Sequence, residues 1–113
     1  MAVFAVRTAK GASWDHARGI REQPHWDEHA AFMDGLVERG VVILGGPVGS
    51  DDPGDVALMA VEAGDEDAVR AAFARDPWMV HGIFRLSDVR RWTIWLDGRP
   101  RAGAAAVSGR PGS

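Results

Sequence analysis

The sequence predicts an α+β fold of the ferredoxin-like kind, with element order βαββαβ and an antiparallel four-stranded sheet carrying two helices on one face. Three observations lead there. Four short apolar segments alternate with two stretches of helical periodicity in that order. A chain of 113 residues and 12.2 kDa suits one core and leaves no room for a second. A content of 46% hydrophobic and 26% charged residues is that of an ordinary globular chain.

The first strand is expected over residues 2–7, apolar and partly β-branched, before the chain breaks at Gly11, Ala12 and Ser13. A helix is expected over 24–39. Pro24 suits its first position, Asp27 and Glu28 favour the positive end of its dipole, and Gly40 is a left-handed stop. Trp26, His29, Ala30, Met33, Leu36 and Val37 recur at three- and four-residue spacing on one face, with Asp27, Asp34 and Glu38 on the other. The second strand is the apolar run 41–44, closed by Gly45-Gly46-Pro47 and a polar loop, and the third falls at 56–62. A second helix begins at Gly64-Asp65 and ends near Asp76, because Pro77 disfavours helical geometry in the residue before it. The last strand is expected over 82–95, with a bend.

Residues 1–96 therefore form the expected domain, and 97–113, rich in Gly, Ala, Pro and Arg, are expected to be disordered. In the two middle strands, Val42 and Leu44 are set against Val41 and Ile43, and Leu58 and Ala60 against Met59 and Val61. Both faces of the sheet look apolar, yet two helices cover only one. A homodimer packed through the other face is the economical expectation.

No apolar run reaches the roughly 18–20 residues of a membrane span, and the N-terminus lacks the pattern of a secretory signal, so a cytoplasmic protein is expected. The absence of cysteine removes disulfides, thiolate nucleophiles and cysteine-bound metal, leaving His, carboxylates, hydroxyls and Arg for chemistry. The net charge of −3 divides into about −5 for the body and +2 for the last 17 residues, where Arg99, Arg101 and Arg110 outnumber Asp97. An acidic body without a basic stripe is a poor match for nucleic acid.

His25-Trp26-Asp27-Glu28-His29 matches H-x-x-E-H, in which two histidines one turn apart bind zinc. The motif is short, the chain is small and no second ligand-bearing helix follows. No metal or other cofactor is expected, and His25 is read as a solvated first-turn residue. Trp26, Trp78 and Trp92 either line a pocket for a flat ligand or fill a core or an interface. Gly45-Gly46-Pro47 lacks the Lys-Ser/Thr ending of a phosphate loop and reads as a turn that lets backbone pass close to His29. His16, Arg21 and His81 read as solvated surface groups.

His29 on the first helix, Gly46-Pro47 after the second strand, Asp52-Pro53-Gly54, Ala68, Asp76-Pro77-Trp78 and Gly82 together resemble the YCII-related family, over roughly residues 3–92. The resemblance implies a ferredoxin-like fold in a dimeric α+β barrel and a His-Asp pair at the active site, which falls here on His29 and Asp76. One branch of the family is associated with dehydrochlorination of a chlorinated hydroxyquinol. Arg90-Arg91-Trp92 departs from the family pattern, which has a proline before the tryptophan, and leaves the path of the last strand open. The implied chemistry is cofactor-independent acid-base catalysis, lyase- or isomerase-like, on a small aromatic or enol-type metabolite lined by Trp26, Gly46, Pro47 and Trp78. The alternative is a structural His29 in a non-catalytic module that binds a small ligand or dimerises.

Overall fold

The computed structural model describes residues 1–49 and 51–100. Its elements are β1 (Ala2–Lys10), α1 (Trp26–Glu38), β2 (Val42–Gly46), β3 (Asp55–Ala63), α2 (Glu66–Phe73), α3 (Pro77–Val80) and β4 (Phe84–Arg91), with a 3-10 turn at Ile20–Glu22 ahead of α1. The sheet is antiparallel throughout, in the order β2-β3-β1-β4. The expected α+β architecture is present.

Alternation along the central strands sends Phe4 and Val6 of β1, with Met59, Val61 and Ala63 of β3, to the helix side. There they meet Val42, Leu36 of α1, and Val69 and Phe73 of α2. Fully burying Leu36 and Phe73 contributes about 2 kcal/mol each. A second cluster, Trp14, Val56, Trp78, Ile83 and Phe84, fills the end of the sheet beneath α3.

Several boundaries differ from the sequence reading, each for a local reason. Pro24 lies outside α1, because His25 takes a left-handed conformation (φ 63°) as the N-cap and the helix starts at Trp26, two residues later than expected. At the other end Gly40 is left-handed as expected (φ 74°). Its N–H reaches the carbonyl of Val37 and the Val41 N–H that of Leu36, the paired bonds of a Schellman motif. Val41 therefore belongs to the helix cap and β2 begins at Val42. Gly45 and Gly46 are strand, not turn, and pair with Met59 and Leu58. A Cβ on Gly45 would sit 2.6 Å from Met59 Cγ, so a side chain there would push the two strands apart.

Val42 lies opposite Val61 and Leu44 opposite Ala60, which makes Ile43 an extra, bulged residue. The expectation that Val42 and Leu44 share a face fails for this reason. Val42 is in the core, while Leu44 is 59% exposed on the opposite face.

The second helix also stops earlier than expected, at Phe73, and a separate short helix starts at Pro77. Pro77 holds Asp76 extended (φ −58°, ψ 127°) and itself occupies the first turn of α3, so Asp76 caps a new helix instead of ending an old one. The last strand ends at Arg91. Trp92 donates its N–H to the Val3 carbonyl (2.8 Å), and Trp92, Ile94 and Leu96 then share a groove with Val3, Leu44 and Ala60 on the face without helices. Residues 101–113 of the expected tail lie outside the described residues. Among the described residues no helix is long and apolar enough to cross a membrane.

The long connection from β1 to α1 is tied down by Gln23, only 3% exposed. Its amide oxygen accepts the Asp15 N–H (2.9 Å), and its amide nitrogen donates to the carbonyls of Asp15 (2.8 Å) and Arg18 (3.1 Å). Replacement by Leu leaves those buried groups unpaired. We expect Gln23→Leu to lower unfolding stability by about 2 kcal/mol in urea titrations, while the exposed Glu22→Gln changes it by less than about 0.5 kcal/mol.

Candidate active site

His29 sits in the first turns of α1, and its ring enters the end of the sheet covered by α3. Nδ1 lies 2.8 and 3.0 Å from the two carboxylate oxygens of Asp76, whose side chain is fully buried. Asp76 Oδ1 also accepts the Trp78 backbone N–H (2.9 Å), so one carboxylate both caps α3 and holds His29. A carboxylate only accepts hydrogen bonds, so Nδ1 carries the proton, and in the neutral ring Nε2 keeps its lone pair.

The imidazole is fixed from its faces and edges as well. It stacks flat on Trp78, with centroids 3.9 Å apart and an interplanar angle of 2°, and meets Phe84 edge-on at 5.1 Å. Trp78 is itself held by its indole N–H, which donates to the Pro24 carbonyl at 2.9 Å. Trp26 leans on both rings at 5.7 and 5.6 Å. Each such aromatic contact adds about 0.5–1.5 kcal/mol beyond area burial.

His29 opens onto a cavity of about 480 Å³ between α1 and the β2–β3 edge of the sheet. Trp26, Gly46, Pro47 and Trp78, the residues expected to contact a ligand, all line it. Trp92 does not: it stands on the other face of the sheet. Sequence reading missed Phe84, Ile20, Met33, Met59 and Asp34 at this cavity. Met33 was legible on the His29 stripe, four residues along. Phe84 and Met59 come from distant strands and carry no local signal.

The H-x-x-E-H residues are arranged differently from a metal pair. His25, outside the helix, stacks on His81 (4.0 Å, 5°), and its Nδ1 meets Glu28 at 3.1 Å. That hydrogen bond holds the Glu28 carboxyl below its usual range. His29 is turned inward to Asp76. Among the described residues no three His, Cys, Asp or Glu side chains are grouped to hold a metal ion.

A family model for the YCII-related domain matches residues 1–93. The chain belongs to the YCII-related family. No curated protein matches this YCII-related chain. Among solved structures it is similar to 5-chloro-2-hydroxyhydroquinone dehydrochlorinase from Burkholderia phenoliruptrix, determined in complex with 2,5-dihydroxybenzoquinone. The two are 26% identical, the match covers 80% of this chain and 93% of that one, and the TM-score is 0.52. Likeness to this neighbour agrees with the ferredoxin-like arrangement described above.

The hydrogen bond between His29 and Asp76 makes a spectroscopic prediction. Nitrogen-15 NMR of the wild type should show the neutral His29 ring protonated at Nδ1, and Asp76→Asn should shift it toward the Nε2-protonated form. Asp76→Ala should cost about 3 kcal/mol of stability, because it removes the α3 cap and leaves a buried Nδ1–H without an acceptor.

Proposed function

We propose that this protein is a small-molecule enzyme in which His29 Nε2 relays a proton and Asp76 orients the ring. The observation that carries this reading is a clamped histidine whose Nε2 has no hydrogen-bond partner among the described residues, at the wall of a largely apolar cavity large enough for a ring-sized ligand. The substrate class we assign is a small aromatic or enol-type metabolite, and the dehydrochlorinase neighbour, bound to a hydroxylated quinone, supports it. A flat ring has Trp26 at one wall and the backbone of Gly46-Pro47 at another.

The chemistry asked of the site is modest. Nε2 takes a proton from a hydroxyl, and the oxygen electron pair becomes a carbonyl as the ring electrons shift. The imidazolium then returns that proton to a ring carbon, which completes an isomerisation and restores the starting histidine. Where that carbon also bears a leaving group, the group departs with its bonding pair while a second ring hydroxyl gives its proton to Nε2 and its oxygen pair forms a new carbonyl, and the imidazolium then passes that proton to solvent, which completes an elimination. Asp76 stabilises the imidazolium formed in between, with no cofactor in the cycle.

We further assign a homodimer through the face of the sheet that carries no helix. Ala5, Leu58 and Ala60 present small or apolar side chains there beside Trp92, a surface suited to a second sheet.

His29→Asn should lower kcat by about 10² to 10⁴-fold on a hydroxylated aromatic that the wild type converts, with the fold intact by circular dichroism; unchanged turnover refutes the proton relay. Binding without conversion across a broad panel of such compounds favours a binding module instead. For the assembly, sedimentation should give a dimer at micromolar concentration and a monomer for Ala5→Glu, which places a charge at the centre of the bare face.

A further inference from the structure

The charge lining the His29 cavity is one-sided. Seventeen residues surround it, and only His29 and Asp34 among them carry ionisable side chains. No Lys or Arg is present in the lining. Asp34 lies five residues beyond His29 on α1, an axial rise of about 7.5 Å, which brings it to the outer end of the cavity beside Val37. No cation or hydrogen-bond donor among the described residues pairs with it.

Behind His29 stands the buried Asp76 carboxylate. With His29 neutral, the form that accepts a proton, two carboxylates act on a ligand and nothing positive answers them. With His29 protonated, one negative charge still remains in excess. The positive end of the α1 dipole does not reverse this, since Asp27 and Glu28 occupy its first turn. The lining around His29 is apolar and shelters the field of the buried Asp76, while Asp34, exposed at the outer end, acts on a ligand through solvent as it enters.

We propose that Asp34 is a specificity-determining residue that restricts the cavity to uncharged ring compounds and rejects carboxylated or phosphorylated ones. This rests on the reading of the His29 cavity as the substrate site, and it narrows the substrate class there. Anionic metabolites of the same size and shape meet repulsion at the mouth before they reach His29. A neutral phenol, enol or quinol does not.

The test uses two probes that differ by one carboxylate, hydroquinone and 2,5-dihydroxybenzoate, titrated by ligand-observed NMR at pH 7 against wild type, Asp34→Asn and Asp34→Lys. Wild type should bind hydroquinone about tenfold more tightly or better, Asp34→Asn should narrow the ratio about threefold, and Asp34→Lys should narrow it further. Raising the salt concentration should shrink the wild-type preference and leave hydroquinone binding unchanged. The ratio should persist in His29→Asn, whose affinities do not depend on turnover. Loss of catalysis and loss of selectivity are thus read separately. Equal affinity for the two probes in wild type, a ratio unmoved by Asp34→Lys, or no binding of hydroquinone by a folded wild type overturns the proposal.

Discussion

Burying a carboxylate costs several kcal/mol unless donors meet it, and the arrangement at the end of the sheet follows from how the Asp76 carboxylate is satisfied. One donor is the Trp78 backbone N–H, available because Pro77 starts a new helix just after Asp76. The other is His29 Nδ1, delivered by α1 from 47 residues away in sequence. The same two bonds thus cap α3, dock it on α1, and set the tautomer of the one histidine that faces the cavity. The structural role of Asp76 and the chemical role proposed for it are not alternatives, since a single geometry is compatible with both.

The aromatic side chains complete that constraint. Trp78 stacks on the face of His29, Phe84 meets its edge, and the Pro24 carbonyl fixes Trp78 through its indole nitrogen. A ring held on a face by Trp78, by the edge contact with Phe84 and at Nδ1 has little rotational freedom left, so Nε2 keeps one direction. Preorganisation of this sort is what proton transfer needs, because no rotamer has to be selected at the moment of reaction. The floor of the cavity is committed to this packing, whereas Asp34 and Val37 at its outer end are exposed.

The sheet has an equally uneven division of labour. Its helix side is a continuous core from Phe4 to Phe73, while its other side mixes Ala5, Leu58 and Ala60 with the charged Arg7 and Arg90. The bulge at Ile43 links the two, because it turns Leu44 away from the core and lets the following glycines run along the cavity wall. A strand of regular alternation would have buried Leu44 and placed different backbone against the ligand space.

The sequence by itself determined the order of elements, the Gly40 stop, the alternation of Leu58 to Val61 and the stripe that carries His29, because each depends on residues a few positions apart. Resemblance to a known family added Asp76 as a partner for His29. Only the tertiary structure decided that the two side chains touch, that Phe84 and Trp78 clamp the ring, and that the exposed Asp34 also lines the outer end of the cavity. The helical wheel set Asp34 apart from the apolar stripe, yet a strand edge rising beyond that stripe makes its margin part of the wall. The bulge at Ile43 and the break between α2 and α3 were hidden for a related reason. The bulge arises where local preference meets the register of β3, and the break combines the local mark of Pro77 with the docking of α3 on α1, and those distant partners leave no mark on the neighbouring residues.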